Sequence, residues 1–237
     1  MEYAIIAAGQ GSRLVADGVE TSKPLLQING EAMLDRLIAI FLDNNAESIS
    51  IIINAEMSDV KAHLDALNLP VPLHILVKTT PDSLHSFYEL ASFIPQRKKL
   101  CLTTIDPIFS SLEFSAYIRS FEADDAHDAL MAVTDYIDDE KPLYVKTNNE
   151  LAITDFVDEA YDGFRYVSGG IYCLNGKVIS LLQTAIDSGV SRMRNFQRQM
   201  VYSGLKVQAY PFSKIIDVDH ASDISKAELF LNGVEEK

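Results

Sequence analysis

The chain is 237 residues long and 48% hydrophobic, which suits one large α/β domain or two small ones with a sizeable buried core. Thirty-four acidic side chains against twenty basic ones leave a formal net charge of −14. That excess repels nucleic acid and anionic membrane, and it makes any anionic ligand depend on a local cluster of cations or a divalent metal.

No apolar run reaches the ~20 residues that span a bilayer, and no basic leader with a cleavage site opens the sequence. Cys101 and Cys173 lie in apolar, strand-like runs, so a reduced, cytoplasmic protein is expected. Residues 3–6 have the size of a buried strand and pass without a polar break into Ala7-Ala8-Gly9-Gln10-Gly11-Ser12-Arg13-Leu14. Residues 30–43 carry Met33, Leu34, Leu37, Ile38 and Phe41 at helical spacing. A β-branched strand at 48–53, a helix at 59–67 and a short strand at 73–77 follow. The next helix is expected at 84–94, capped by Ser83 or Ser86. A strand at 100–105 ends at Asp106-Pro107. Strands alternating with helices imply a largely parallel sheet with helices on both faces. Ligands in such sheets lie beyond the carboxyl ends of the strands, where Gly9, Ser83 and Asp106 fall.

The second half is richer in β structure. A helix at 114–121 precedes strands at 129–133, 144–146, 152–157 and 164–174. Helices at 178–187 and 192–202, a strand at 207–210 and an apolar run into Asp217 come next. Ser222 is the expected cap of a last helix carrying Ile224, Ala227 and Leu231. The acids between 122 and 140 read as a solvated face. Nothing resembles a repeat, a low-complexity tract or a linker, so one domain over 1–237 is expected.

The loop after the first strand offers phosphate chemistry. Glycines let the backbone turn sharply and approach a ligand closely, and successive N–H groups in such a turn form an anion-binding concavity. Arg13 adds a planar fork of donors and Lys23 a compact charge. Pro24 biases Lys23 toward an extended backbone. Two other phosphate loops are excluded. The dinucleotide fingerprint G-x-G-x-x-G lacks its third glycine, since Leu14 stands there, and no Gly-Lys-Ser/Thr is present for a Walker loop.

The longer string is more specific. Ala-Ala-Gly-x-Gly-Ser-Arg-Leu, then Lys23-Pro24-Leu25-Leu26, then Ile28-Asn29-Gly30-Glu31-Ala32-Met33-Leu34 resembles the N-terminal signature of the nucleotidyltransferases that make NDP-sugars and related activated alcohols. The match runs over residues 3–42. The resemblance implies a three-layer, Rossmann-like (GT-A-like) α/β fold with a mixed, mainly parallel sheet. It also implies transfer of a nucleoside monophosphate from a nucleoside triphosphate to a phosphorylated small-molecule acceptor, with Mg²⁺ as cofactor. The N-terminal half would hold the nucleotide and the C-terminal half the acceptor. Ala7, Ala8, Gly9, Gly11, Ser12, Ser83 and Thr104 would line the nucleotide site, and Arg13 and Lys23 would act on the phosphates.

The metal ligands follow from the same resemblance and from the chemistry of strand ends. Asp106 follows an apolar strand, where a carboxylate can hold a divalent cation while water and phosphates fill the other positions. Asp217 matches the family's second metal ligand by register. Asp219 replaces a position that is often glycine and stays as the alternative. Both acids are expected on one side of a strand of period two, while His220 reads as a loop residue.

The acceptor is less defined. Ser168-Gly169-Gly170-Ile171-Tyr172 interrupts a strand, and glycine there marks a close approach or a bulge. In the family such a glycine contacts the acceptor, which points to Gly170. Glu159 stands where many relatives have Glu-Lys, but Ala160 replaces the lysine. Lys146, or the group Arg192, Arg194 and Arg198, is left to restore the charge. Asp82-Ser83-Leu84 resembles the base-contacting segment of the cytidylyltransferase branch. A CTP-dependent enzyme for an alcohol phosphate, or a silent nucleotide-binding regulator, are therefore the alternatives. Self-association is left open.

Overall fold

The computed structural model describes residues 1–95 and 98–233. Strand β1 (Glu2–Ala7) leads through the glycine loop into the short helix α1 (Ser12–Ala16) and a 3-10 turn at Lys23–Leu25. The ribbon β2 (Gln27–Ile28) and β3 (Glu31–Ala32) precedes α2 (Met33–Asp43), β4 (Ser48–Ile53), α3 (Ser58–Ala66), β5 (Leu73–Val77) and α4 (Ser83–Leu90). Then come β6 (Leu100–Thr104), β7 (Pro107–Phe109), α5 (Ser111–Glu122), β8 (Ala129–Thr134), β9 (Tyr144–Thr147) and β10 (Ile153–Val157). The chain continues through β11 (Tyr166–Leu174), α6 (Gly176–Asp187), α7 (Met193–Tyr202), β12 (Val207–Phe212), β13 (Ile215–Asp217) and α8 (Ala221–Leu231).

Nine strands form one mixed sheet. Strands β5, β4, β1 and β6 run parallel in that spatial order. Strand β11 joins β6 antiparallel and also pairs antiparallel with β8 and, at its start, with β9. Strand β12 adds to β8 in parallel and β10 to β9 in antiparallel fashion. The expected mainly parallel sheet is therefore the N-terminal half, and the direction reverses at β6/β11.

Strand periodicity builds the three layers. Tyr3, Ile5 and Ala7 of β1 join Leu37 and Phe41 of α2, Val60 of α3 and Phe114 of α5 on one face. Ala4 and Ile6 join Phe87 of α4, Leu182 of α6 and Phe196 of α7 on the other. Both faces of β1 are thus buried, which is why its sequence is apolar throughout rather than alternating. Cys101 and Cys173 face each other across β6 and β11 as buried free thiols, and burial pushes the Cys101 thiol well up.

Three local expectations change. Helix α4 ends at Leu90 and tightens into a 3-10 turn at Ala91–Phe93. Its cap is Asp82, which accepts from the Leu84 and His85 N–H groups, rather than Ser83 or Ser86. A carboxylate at that position satisfies N–H groups of the first turn that lack a partner within the helix and carries the charge the helix dipole favours. Helix α8 starts one residue before Ser222. Asp17, at the end of α1, accepts from the Ala221 N–H, and Asp223 reaches back to the His220 N–H. Lys23 is not extended: it opens the 3-10 turn with Pro24 in its first positions, where proline costs no hydrogen bond, and Ser22 takes the extended conformation instead.

Candidate active site

The glycine loop occupies the carboxyl edge of β1. Gly11 takes φ 59° and caps α1 in the left-handed region. A Cβ there would lie 3.3 Å from the Lys23 Cβ, so glycine permits both the turn and the close passage of Lys23. Asn54, directly after β4, supports the loop. Its Nδ2 donates to the Ala8 carbonyl, and its Oδ1 accepts from the Glu56 N–H.

The loop borders a cleft of about 560 Å³ lined also by Lys23, the 79–83 segment, Thr104 and Asp106. A second cleft of about 490 Å³ lies against β11 and the start of α7 and is lined by Gly170, Tyr172, Arg192, Arg194, Gln197 and Asp217. Arg13, Ser83, Thr104, Asp106 and Asp219 line both. These five residues mark the seam where a molecule in one cleft meets a molecule in the other.

The seam carries an ion network. Lys23 Nζ donates to Asp219 Oδ1 at 2.7 Å and to Asp106 Oδ2 at 3.2 Å. Arg13 Nη1 donates to Asp219 Oδ2 at 2.6 Å. Lys23 is only 7% exposed. Burial alone would lower its pKa, but Asp106 and Asp219 outweigh burial and hold it above the usual lysine value. Burial likewise works against ionisation of Asp106, yet Lys23 and the Thr104 hydroxyl keep its carboxyl below the usual range.

Asp217 is different. The pairing of β13 with β7 sets it opposite Pro107, next to Asp106. Its Oδ1 is buried with no hydrogen-bond partner among the described residues. Burial, then the charges of Asp106 and Asp219, push its pKa well above the usual carboxylate value. Two crowded carboxylates with an orphaned oxygen between them suit a divalent cation. Asp219 fits that role less well, because both of its oxygens are committed to Arg13 and Lys23. No group of three or more acids, histidines or cysteines that could hold a metal occurs among the described residues. Any cation here would take its other ligands from water and substrate, as Mg²⁺ characteristically does.

The family model described as nucleotidyl transferase matches residues 3–232. The chain belongs to the nucleotidyl transferase family.

This nucleotidyl transferase has the fold of several solved structures. Inositol-1-phosphate CTP transferase from T. maritima is 18% identical, with a TM-score of 0.79 over 99% of this chain and 98% of its own. A protein assigned as a glucose-1-phosphate thymidylyltransferase from Bacillus anthracis is 19% identical, with a TM-score of 0.85 over 100% and 97%. HddC from Yersinia pseudotuberculosis is 18% identical, with a TM-score of 0.75 over 97% and 99%. No curated protein matches the chain significantly.

The sequence-derived residues of this nucleotidyl transferase are distributed unevenly. Ala8, Gly9, Gly11, Ser12, Arg13, Lys23, Ser83, Thr104, Asp106 and Asp219 line the first cleft. Ala7 is fully buried in β1 and does not. Gly170 and Asp217 line the second. Gly170 has φ 71°, and a Cβ there would come within 2.9 Å of the Thr104 Oγ1. Glu159 is exposed and lines neither cleft. Lys146 lies on β9 with its Nζ 3.9 Å from Asp155 and over the Tyr161 ring, also away from both. Besides Arg13, the basic groups at the second cleft are Arg192, Arg194 and Lys141. Arg198 is turned away onto Asp158 and the Phe156 carbonyl. Among the described residues, no helix is long and apolar enough to cross a membrane.

Asn54 and Asp82 escaped the sequence reading. Asn54 had a signal, since it follows an apolar strand at the same edge of the sheet as Gly9. Asp82, in the segment that resembles a base-contacting one, is instead the cap of α4.

Proposed function

We propose that the first cleft binds a nucleoside triphosphate and the second a sugar 1-phosphate or related phosphorylated alcohol, within one domain. The reaction joins the acceptor phosphate to the nucleoside monophosphate and releases pyrophosphate. The observation that carries this reading is the seam: five polar or charged residues belong to both clefts, and Arg13 among them, with Lys23 bound to two of the others, concentrates positive charge in an acidic protein.

In this mechanism an acceptor phosphate oxygen attacks the α-phosphorus, and the bond from that phosphorus to the bridging oxygen of the β-phosphate breaks. A phosphate monoester is already an anionic nucleophile, so no general base is needed. The chain contributes alignment and charge stabilisation. Arg13 binds the β and γ oxygens and neutralises the leaving pyrophosphate. Lys23 bridges the α-phosphate and the incoming phosphate. The glycine loop donates backbone N–H groups to the polyphosphate, and Gly170 lets the acceptor approach β6 closely. Members of the family typically depend on a divalent cation. Asp106 and Asp217 would hold Mg²⁺, which supplies charge neutralisation to the phosphates when bound.

The test is a panel of the four common ribonucleoside triphosphates with Mg²⁺ and a set of sugar, inositol and choline phosphates, read by pyrophosphate release. Release that requires both a triphosphate and a phosphorylated acceptor supports the reading. Triphosphate binding without release from any pair would leave the silent regulator in its place. Preference for CTP with an alcohol phosphate would select the second reading, which the CTP-using neighbour of the same fold favours.

A further inference from the structure

The starts of two helices meet between the clefts. Asp82 precedes α4 and Arg192 precedes α7. Asp82 Oδ1 accepts from the Leu84 and His85 N–H groups at 2.9 and 3.2 Å, and the same oxygen accepts from the Arg192 N–H at 3.0 Å. The Ser83 Oγ accepts from the Met193 N–H at 3.1 Å. Two consecutive side chains at the head of α4 therefore hold two consecutive N–H groups at the head of α7.

A helix cap requires only the first two of these bonds. The bonds to Arg192 and Met193 cross to another element. They coincide with an unusual backbone: Arg192 has φ 64° and ψ 143°, a conformation that residues with a side chain seldom adopt. Asp82 lines the first cleft, Arg192, Met193 and Arg194 line the second, and Ser83 lines both.

We propose that Asp82 is a positioning residue: by accepting the Arg192 N–H it fixes the start of α7 and so places Arg192, and Arg194 with its partners Asp158 and the Lys141 carbonyl, in the wall of the acceptor cleft. The proposal rests on reading the second cleft as the acceptor site. It makes the geometry of the acceptor cleft depend on a residue in the wall of the nucleotide cleft.

Two substitutions separate this role from capping. Asp82→Ser keeps a good helix cap but is too short to serve both helices. Asp82→Asn keeps the accepting oxygen. In the full-length protein with Mg²⁺, Asp82→Ser should raise the acceptor KM about tenfold, as loss of one hydrogen bond implies. The nucleotide KM and the melting midpoint should stay close to wild type, and Asp82→Asn should restore the acceptor KM. An unchanged acceptor KM, an equal rise in both KM values, or a Asp82→Asn variant as impaired as Asp82→Ser would overturn the proposal.

Amide hydrogen exchange of the ligand-free protein gives a second readout that needs no turnover. The Arg192 and Met193 amides should exchange faster in Asp82→Ser than in wild type or Asp82→Asn, while the α4 amides stay protected. If the wild-type protein released no pyrophosphate from any substrate pair, the acceptor reading would fall. Exchange would still decide the clasp, and equal rates in all three proteins would sink it.

Discussion

Asp219 holds Lys23 through a 2.7 Å hydrogen bond from Nζ to Oδ1, while its other oxygen accepts from Arg13. One carboxylate thus occupies both cations that would otherwise meet a polyphosphate. A triphosphate entering the first cleft must take the place of that carboxylate. Asp219→Asn removes the competing charge, so metal-free binding of a triphosphate should tighten by about tenfold, the value of one modest charged hydrogen bond. Asp217→Asn should instead weaken the dependence on Mg²⁺ without tightening metal-free binding. Calorimetric titration with and without a chelator checks both. Identical behaviour of the two variants would refute the division of roles.

Lys23→Ala should lower turnover by about 10²–10³, the usual cost of removing one preorganised donor to developing charge. The same substitution leaves Asp106 and Asp219 without their shared cation beside Asp217. Stability should therefore fall by about 1–3 kcal/mol, the penalty for a buried charged group losing its partner. Pyrophosphate release and thermal melting measure the two effects separately. Undiminished turnover in a folded Lys23→Ala protein would remove Lys23 from the mechanism.

Gly170→Ala meets two obstacles. The residue has φ 71°, and its new Cβ would sit 2.9 Å from the Thr104 Oγ1. The conformation alone costs about 1–2 kcal/mol for a residue with a side chain. Adding Thr104→Ala removes the clash but not the backbone strain, so the double variant should recover only part of the lost stability. Full recovery would show that the positive φ is not demanding, and no recovery would show that the hydroxyl contact does not matter.

Asp128 contributes to the acid limb of stability. Its side chain accepts from the Lys206 N–H, the Asn175 amide and the Lys177 ammonium, joining the starts of β8, α6 and β12. Burial works against its ionisation, but those donors prevail and hold its pKa below the usual aspartate value. A lowered folded pKa means that the stabilisation is complete above the unfolded pKa, about 3.9, and is lost as pH falls through the folded value. Asp128→Asn should therefore cost about 1–3 kcal/mol near neutral pH and flatten the decline below pH ~4. Denaturant melts across that range test it, and an unchanged acid limb would contradict the assignment.

The parallel half of the sheet was legible because burial on both faces forces uninterrupted apolar runs. Residues 48–53 form a strand with those bounds, and so do residues 73–77, although that edge strand is only half-buried. The glycine loop and the acids at 106, 217 and 219 were legible because their chemistry follows directly on such runs. The acceptor cleft was harder. Lys146 and Glu159 were plausible by position along the chain, but Lys146 turns toward Asp155 and Tyr161, and nothing local to β9 announces that direction. Arg192 and Arg194 reach the cleft because Asp82 and Ser83 hold their helix from 110 positions away. Contacts of that separation leave no periodic mark. The caps of α4 and α8 are illegible for a related reason: several polar residues are eligible, and only the packed geometry selects Asp82 for α4 and His220 with Asp223 for α8.

Strand β13 meets β7 over only three residue pairs, yet that short ribbon carries Asp217 to the side of Asp106. The acidic pair is a product of chain closure and has no precursor within either local segment. A ribosome-bound chain, or one clipped by a protease before position 215, would retain the glycine loop but lack Asp217 and Asp219 together. Turnover would then require the segment that carries β13, so specific activity would report how many molecules in a preparation have that ribbon in place.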